Sequence, residues 1–524
     1  MKNLFKQFYY LIAVLLLVTA CHKDLDQSPI DPDSFTEEDV FANATEAKSA
    51  LAKVYASLAL TGQEGPAGQP DLANIDEGFS QFSRMLFNLN ELTTDNAVVA
   101  WGDSGLQDLH GMYWTSSNDF TDAMYNRLAQ TVSFANSFIA NASNLSDAVV
   151  TEYIAEARFI RAYAYYNLVD LYGNVPLVTE ISTTLPTQNT RQEVFDFIET
   201  ELLDIQSDLA ASGTNEYGRV DEVAAWALLS RLYLNSEVWT GQARYDDCVT
   251  YSNNVMNSTY MINTTDANNN GTAYDELFLA DNDTNGAQNE FIFSINFDGL
   301  NSQTYGGTTF LVHAAVGGSM DPNDFGINGG WGGNRTTSAL VAKMGSGDSR
   351  AMFHTDGQSL EIQDITSFNE GYAVTKFKNV TSTGAAGSDG AGDFVDTDLP
   401  LIRLAEIYLN YAEATVRGGN GSMATAVDKI NELRQRAYGD TSGNITSGDL
   451  TLDFLLDERA RELYWEGQRR TDLVRYNYFT TNAYLWPFKG NSAQGSPVGD
   501  FRNVFPIPYN TILSNANLQQ NPGY

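Results

Sequence analysis

Imidazole and thiol chemistry has little raw material here: 524 residues contain four His and two Cys. His110, His313 and His354 stand isolated in sequence, as loop or core imidazoles do. There is no Gly-x-Ser-x-Gly elbow, no His-Glu-x-x-His helix, no Walker-type phosphate loop and no Cys-x-x-Cys. Glycoside hydrolysis needs only two carboxylates a few ångströms apart. With 66 Asp and Glu, a hydrolase stays open as an alternative on composition alone. Asp281, Asp283 and Asn285 set oxygen donors at alternate positions ahead of Gly286, a pattern that suits calcium and equally a solvated Asx turn. An EF-hand is ruled out: its closing Glu stands six residues after the glycine, and here Glu290 stands four after it. Five Arg between Arg459 and Arg475 alternate with acids such as Glu462, Glu466 and Asp472, which points to internal ion pairs rather than a phosphate patch. Aromatic residues, at 12%, are the plentiful resource. Trp331, between Gly329-Gly330 and Gly332-Gly333 on a polar loop, has few sequence neighbours to bury it, so core packing explains it poorly.

The elements that must position these groups have two textures. Residues 120–258 and 400–477, with 34–60, carry apolar side chains at helical spacing. Ala155, Phe159, Ala162, Tyr166 and Val169 form one stripe, stopped by Gly173-Asn174 and Pro176. Leu404, Ile407, Tyr408, Tyr411 and Ala412 form a second, closed by Gly418-Gly419 and followed by Met423, Val427, Ile430 and Leu433. A third pair joins Val194, Ile198, Leu202 and Ile205 to Val223, Ala227 and Leu228. Helix pairs repeating over about 34 residues match tetratricopeptide units in period, without their Trp-Leu-Gly-Tyr pattern. Residues 61–118 and 259–398 are rich in Gly, Asn, Asp, Ser and Thr, with short strand-like runs such as Glu290–Ile295. The expected fold is mostly α, a helical scaffold carrying a loop-rich face with a few short strands. Functional residues belong on that face.

Charge and the N-terminus narrow the setting. A net charge of -36 argues against nucleic acid and against an anionic lipid surface, which both need clustered Lys and Arg. Lys2 and Lys6 precede an apolar run from Phe8 to Val18, too short to span a bilayer, which needs about 20 residues. Residues 1–20 therefore read as a signal peptide. Val18-Thr19-Ala20-Cys21 looks like a lipobox, making Cys21 the lipidated residue and 21–33 a tether to the membrane, with 21–524 a single body. Only Cys248 then remains, so no intramolecular disulfide is available.

These features together carry a resemblance. The lipobox, Arg158–Leu168 running into Leu171-Tyr172-Gly173-Asn174-Val175-Pro176, the Arg-rich segment, and the ending Phe505-Pro506-Ile507-Pro508 with Asn521-Pro522-Gly523-Tyr524 resemble the SusD/RagB family over the whole mature chain. That resemblance implies an outer-membrane, cell-surface lipoprotein that binds a glycan without catalysis and serves a SusC-like, TonB-dependent transporter. It also implies four tetratricopeptide-like helix pairs under a loop-rich face. Thr61–Gly65, Asp76-Glu77-Gly78, Asn90–Asp95 and Tyr305-Gly306-Gly307 are similar to stretches of the family's starch-binding members. Carried over on those stretches, Trp101, Tyr305 and Trp331 fall in an aromatic arc that cradles α-1,4-glucan, with Asp76 and Arg84 reading hydroxyls. Two positions depart: Val99 stands where a further Trp is expected, and Ser104 where an Asn is expected. The departures keep a β-1,3-glucan such as laminarin as the alternative ligand. Asp283 falls in a stretch where the resemblance implies calcium as a cofactor.

Overall fold

The structure is a computed structural model that describes residues 37–524. Cys21, the tether and the signal peptide lie outside the described residues. Helices of seven residues or more are numbered here in chain order. They are α1 (Ala44–Ala59), α2 (Phe82–Asn90), α3 (Asp119–Ala142), α4 (Ala148–Tyr172), α5 (Arg191–Ile205) and α6 (Glu222–Thr240). They continue with α7 (Tyr245–Met256), α8 (Gly307–Ala315), α9 (Leu404–Val416), α10 (Met423–Tyr438), α11 (Leu452–Leu463) and α12 (Arg469–Arg475).

Local chemistry sets their ends. Asp147 caps α4 by accepting from the Val149 amide, and Gly173 closes it at φ 73°, a conformation that favours glycine. Thr190 and Glu193 form a reciprocal capping box at the start of α5. Asp221 caps α6 and Ser422 caps α10. The helices pack as successive pairs: α3 on α4, α5 on α6, α7 on α9, and α9 on α10. Helices α4 and α6 are buried on nearly every side, which explains why their apolar residues surround the axis instead of forming one stripe. The fold is mostly helical, as the spacing predicts.

Among the described residues, six short strands make three separate antiparallel pairs: β1 (Val98–Val99) with β3 (Asn334–Arg335), β2 (Phe291–Ile295) with β6 (Leu399–Arg403), and β4 (Phe353–His354) with β5 (Ala373–Val374). The stretches expected to be irregular hold more order than their composition suggests. Helices α2 and α8 lie inside them, each nine residues long and wholly buried, and α8 packs on α2 through Phe87 and Phe310. Two turns are too few to display a helical period, and glycines flank α8, so tertiary packing rather than patterning makes both helices.

The Arg-rich segment is internal, and its charges are buried. Glu462 of α11 accepts from Arg350, from Arg403 of β6 and from Arg436 of α10. Glu290 accepts from the same Arg403 and Arg436, while Glu466 accepts from Arg403 and Lys376. Arg469 forks onto Asp95, and Arg475 onto Glu413. Burial alone would raise the Glu462 carboxyl, but Arg436, Arg403 and Arg350 hold it well below the usual carboxylate range. Against the same burial, arginines keep Glu458 and Glu413 down at about 2. Cys248 is buried and unpaired, and burial pushes its thiol up to about 12, so it is an inert core residue.

Folded-state carboxyls held low stabilise the protein above the unfolded value near 4.5 and lose that contribution as pH falls toward 2. Urea midpoints measured from pH 7 down to 2 should therefore decline mainly below about 4.5. Glu462→Gln should cost about 3–5 kcal/mol at pH 7, because it leaves buried guanidinium groups uncompensated. An unchanged midpoint in that variant would contradict the network's role.

Candidate functional site

The site is built where α8, the segment before α2 and the turn after β1 meet. Glu77 is buried and receives three hydrogens: the Thr61 hydroxyl (2.6 Å), the Thr304 hydroxyl (2.7 Å) and the Tyr305 amide (3.0 Å). Gln81 receives the Gly307 amide (2.9 Å) and donates to the carbonyls of Leu58 and Ala59 at the end of α1. One turn of helix, Glu77–Ser80, thus fixes the Tyr305 loop against α1. Gly78 and Gly306 permit the approach. A Cβ on Gly306 would lie 2.2 Å from the Gln81 side chain, and one on Gly78 would lie 2.9 Å from the Tyr305 backbone.

The Trp331 loop is tied down from the other side. Its amides at Trp331, Gly332 and Gly333 donate to the carbonyls of His313, Val316 and Ala314 at the end of α8. Arg335, fully buried, donates to the carbonyls of Gly333, Ile365 and Glu370. The Ala100 amide donates to Gly333, extending the β1–β3 pair to the residue before Trp101.

Three rings expected in the arc are brought together. Trp331 lies 6.4 Å from Trp101 and 6.3 Å from Tyr305, with the planes tilted by 44° and 54°. Trp101 Nε1–H donates to the Trp331 carbonyl (3.1 Å), so the indole is held while its face stays partly open. Tyr305 is 39% exposed. The sequence suggested few neighbours for Trp331; in fact its ring stacks on His313 at 4.7 Å and 22°, a support the sequence did not reveal. Burial lowers the His313 pKa, which keeps this support neutral at ordinary pH, and its Nδ1 faces the Gly329 carbonyl at 2.7 Å. Phe394 backs Tyr305, and Phe310 backs Trp101.

The polar residues divide. Arg84 is only 5% exposed, lies between the rings of Phe79 (4.0 Å) and Phe310 (4.4 Å), and donates to the Tyr305 carbonyl at 3.2 Å. Its Nε is buried without a partner. Burial draws its pKa down to about 9, against the opposing charges of Asp76, Asp103 and Glu77. Asp76 is exposed and caps the Glu77–Ser80 turn by accepting from Gly78. Ser104 is exposed on the turn ahead of Leu106–His110. Val99, in the place expected of a further Trp, is buried in β1 and contributes nothing to the exposed row.

The expected calcium residues lie elsewhere and do not fit an ion as they stand. Both Asp281 oxygens accept from Ser382, Asn285 Oδ1 accepts from the Ala287 amide, and the Asn285 amide donates to Glu276. Asp283 is exposed and accepts from Thr284. Calcium takes six to eight oxygens, and the side-chain oxygens of Asp281 and Asn285 already accept protein hydrogens.

Comparison with known proteins follows the same outline. A family model described as the SusD family matches residues 231–524, and one described as "Starch-binding associating with outer membrane" matches residues 39–234. The starch-binding protein SusD of Bacteroides thetaiotaomicron is 36% identical, with 98% of each chain covered. A SusD superfamily protein of Parabacteroides distasonis shares the fold at a TM-score of 0.70 and 21% identity, covering 94% of this chain and 100% of that one. A laminarin-binding SusD-like protein does so at 0.69 and 21% identity, covering 92% and 100%. On the model matched to its C-terminal half and the relative aligned along nearly its whole length, this chain belongs to the SusD family.

Proposed function

We propose that this protein captures a starch-like α-glucan at the cell surface and delivers it, chemically unchanged, to a SusC-like TonB-dependent transporter. Cys21 would hold it to the outer membrane through its acyl chains. The observation that carries the reading is the row Trp101–Trp331–Tyr305, with ring centroids 6.4 and 6.3 Å apart. Each glucose presents an apolar C–H face that packs on an aromatic ring, and successive tilted rings suit a chain that turns as it runs. Asp76, which is exposed, would accept from sugar hydroxyls, while Arg84, buried between Phe79 and Phe310, holds the Tyr305 backbone. The 36% identical relative is named a starch-binding protein, which supports the same ligand class. The acid excess costs a neutral glycan nothing.

A β-1,3-glucan is the second reading. Val99 leaves the row one ring shorter than the starch-binding pattern, and one protein of the same fold is a laminarin binder. Affinity electrophoresis separates the two: retardation in amylopectin with none in laminarin supports the α-glucan, and the reverse selects the alternative. Absence of reducing-sugar release from either polymer is the expected result for a binder, and release would establish a hydrolase.

Stacking adds roughly 0.5–1.5 kcal/mol per ring beyond area burial, by analogy with aromatic pairs. Trp101→Ala combined with Trp331→Ala should therefore weaken glucan binding by about 5- to 150-fold, read by calorimetry. Gly333→Ala tests the geometry without removing a ring, since its Cβ would lie 2.3 Å from the Trp101 indole. It should lower affinity while the far-UV spectrum stays unchanged.

A further inference from the structure

We propose a second glycan-contact surface on Tyr476, Tyr478 and Tyr484, an inference that rests on reading Trp101, Trp331 and Tyr305 as a glucan row. Among the described residues, only these two runs join three neighbouring aromatic rings with every ring at least partly exposed. Their geometry agrees. Tyr476 and Tyr478 have ring centroids 6.3 Å apart and planes tilted by 49°, and Tyr478 and Tyr484 have 6.1 Å and 44°. The first row has 6.4 Å with 44° and 6.3 Å with 54°.

These tyrosines are also held in place. Asn477, at φ 56°, takes the left-handed conformation that Asn tolerates and turns the chain after α12, setting Tyr476 beside Tyr478. Lys489 is fully buried, and its ammonium donates to the carbonyls of Tyr478 (2.8 Å), Thr481 (2.7 Å) and Tyr484 (2.8 Å). An ammonium has three hydrogens, and all three go to this loop. Burying a charge is costly unless it is fully hydrogen-bonded. What this one fixes is the placing of two partly exposed rings. Cations back the ends of the row: Arg417 lies 4.7 Å from the Tyr476 ring centre, and Lys343 lies 4.8 Å from that of Tyr484.

The ligand this surface fits is a neutral sugar chain, by the same contact of C–H faces on tilted rings. Asp453, exposed and accepting from the Tyr478 hydroxyl (2.9 Å), places a carboxylate beside the middle ring for sugar hydroxyls. The two rows are separate but within reach of one polymer. The Tyr484 hydroxyl donates to Asp95 (2.6 Å), and Asp95 stands six residues before Trp101, at most about 21 Å of extended chain. Two modest contacts on one strand multiply through effective concentration, so the second row acts on polysaccharide more than on short fragments.

Tyr478→Ala, made in the full chain, tests this by affinity electrophoresis in amylopectin and calorimetry with maltotriose, which is short enough to occupy one row only. Laminarin and laminaritriose replace them if laminarin is the polymer that retards the unmodified protein. Loss of one stacking ring should weaken polymer binding about 2- to 10-fold, while trisaccharide affinity at the first row stays within about twofold. Hydroxyl-radical footprinting of the unmodified protein should show the polymer shielding Tyr478 and Tyr484 along with Trp331. Should Tyr478→Ala fail to melt cooperatively, that footprint decides. Polymer affinity unchanged in a folded Tyr478→Ala variant, an equal loss for the trisaccharide, or Tyr478 left unshielded would overturn the second row alone. No retardation of the unmodified protein in either polymer would overturn the glucan reading, and the second row with it.

Discussion

Glu462 is the carboxylate on which the architecture turns. It is buried, yet three arginines from separate parts of the chain, Arg350, Arg403 and Arg436, converge on it. Removing any of these charges from water is expensive, and only tight pairing compensates. Each arginine must therefore be where its partner is. This ties β6, the helix pair α9–α10 and α11 into one block, through contacts that span more than a hundred residues of sequence. Apolar burial supplies most of the driving force in such a core. The charges define which packing is reached.

The same logic recurs on a smaller scale at the aromatic row. Glu77 gathers two loop hydroxyls and the Tyr305 amide, Gln81 joins the Gly307 amide to the end of α1, and Arg335 donates to three loop carbonyls. Loops so rich in glycine would otherwise sample many conformations. Held this way, Trp101, Trp331 and Tyr305 present a ready-made surface, which on the proposed function a sugar chain would meet without first ordering it. Preorganisation of this kind strengthens binding by lowering its entropic cost. His313 adds a neutral ring under Trp331, which fixes the indole without adding charge.

Much of the helical frame was legible in sequence, because long runs with apolar residues at helical spacing, stopped at Gly173 and at Gly418-Gly419, leave few readings. The internal character of Arg459–Arg475 was legible too, since acids alternate with the arginines. Helices α2 and α8 were not: nine residues cannot establish a period, and their burial comes from partners far along the chain. The ring row came from family resemblance, with only the glycines around Trp331 as a residue-level sign. Its supports, Phe310, His313 and Phe394, carry no local signal, because what marks them is a contact across the fold.

On the proposed function, a glucan lies along Trp101, Trp331 and Tyr305. A crystal structure of the protein soaked with maltoheptaose tests it most directly. The expected result is successive glucose rings stacked on those three side chains, with Asp76 within hydrogen-bonding distance of a hydroxyl. An oligosaccharide bound elsewhere, with the three rings left bare, would contradict it.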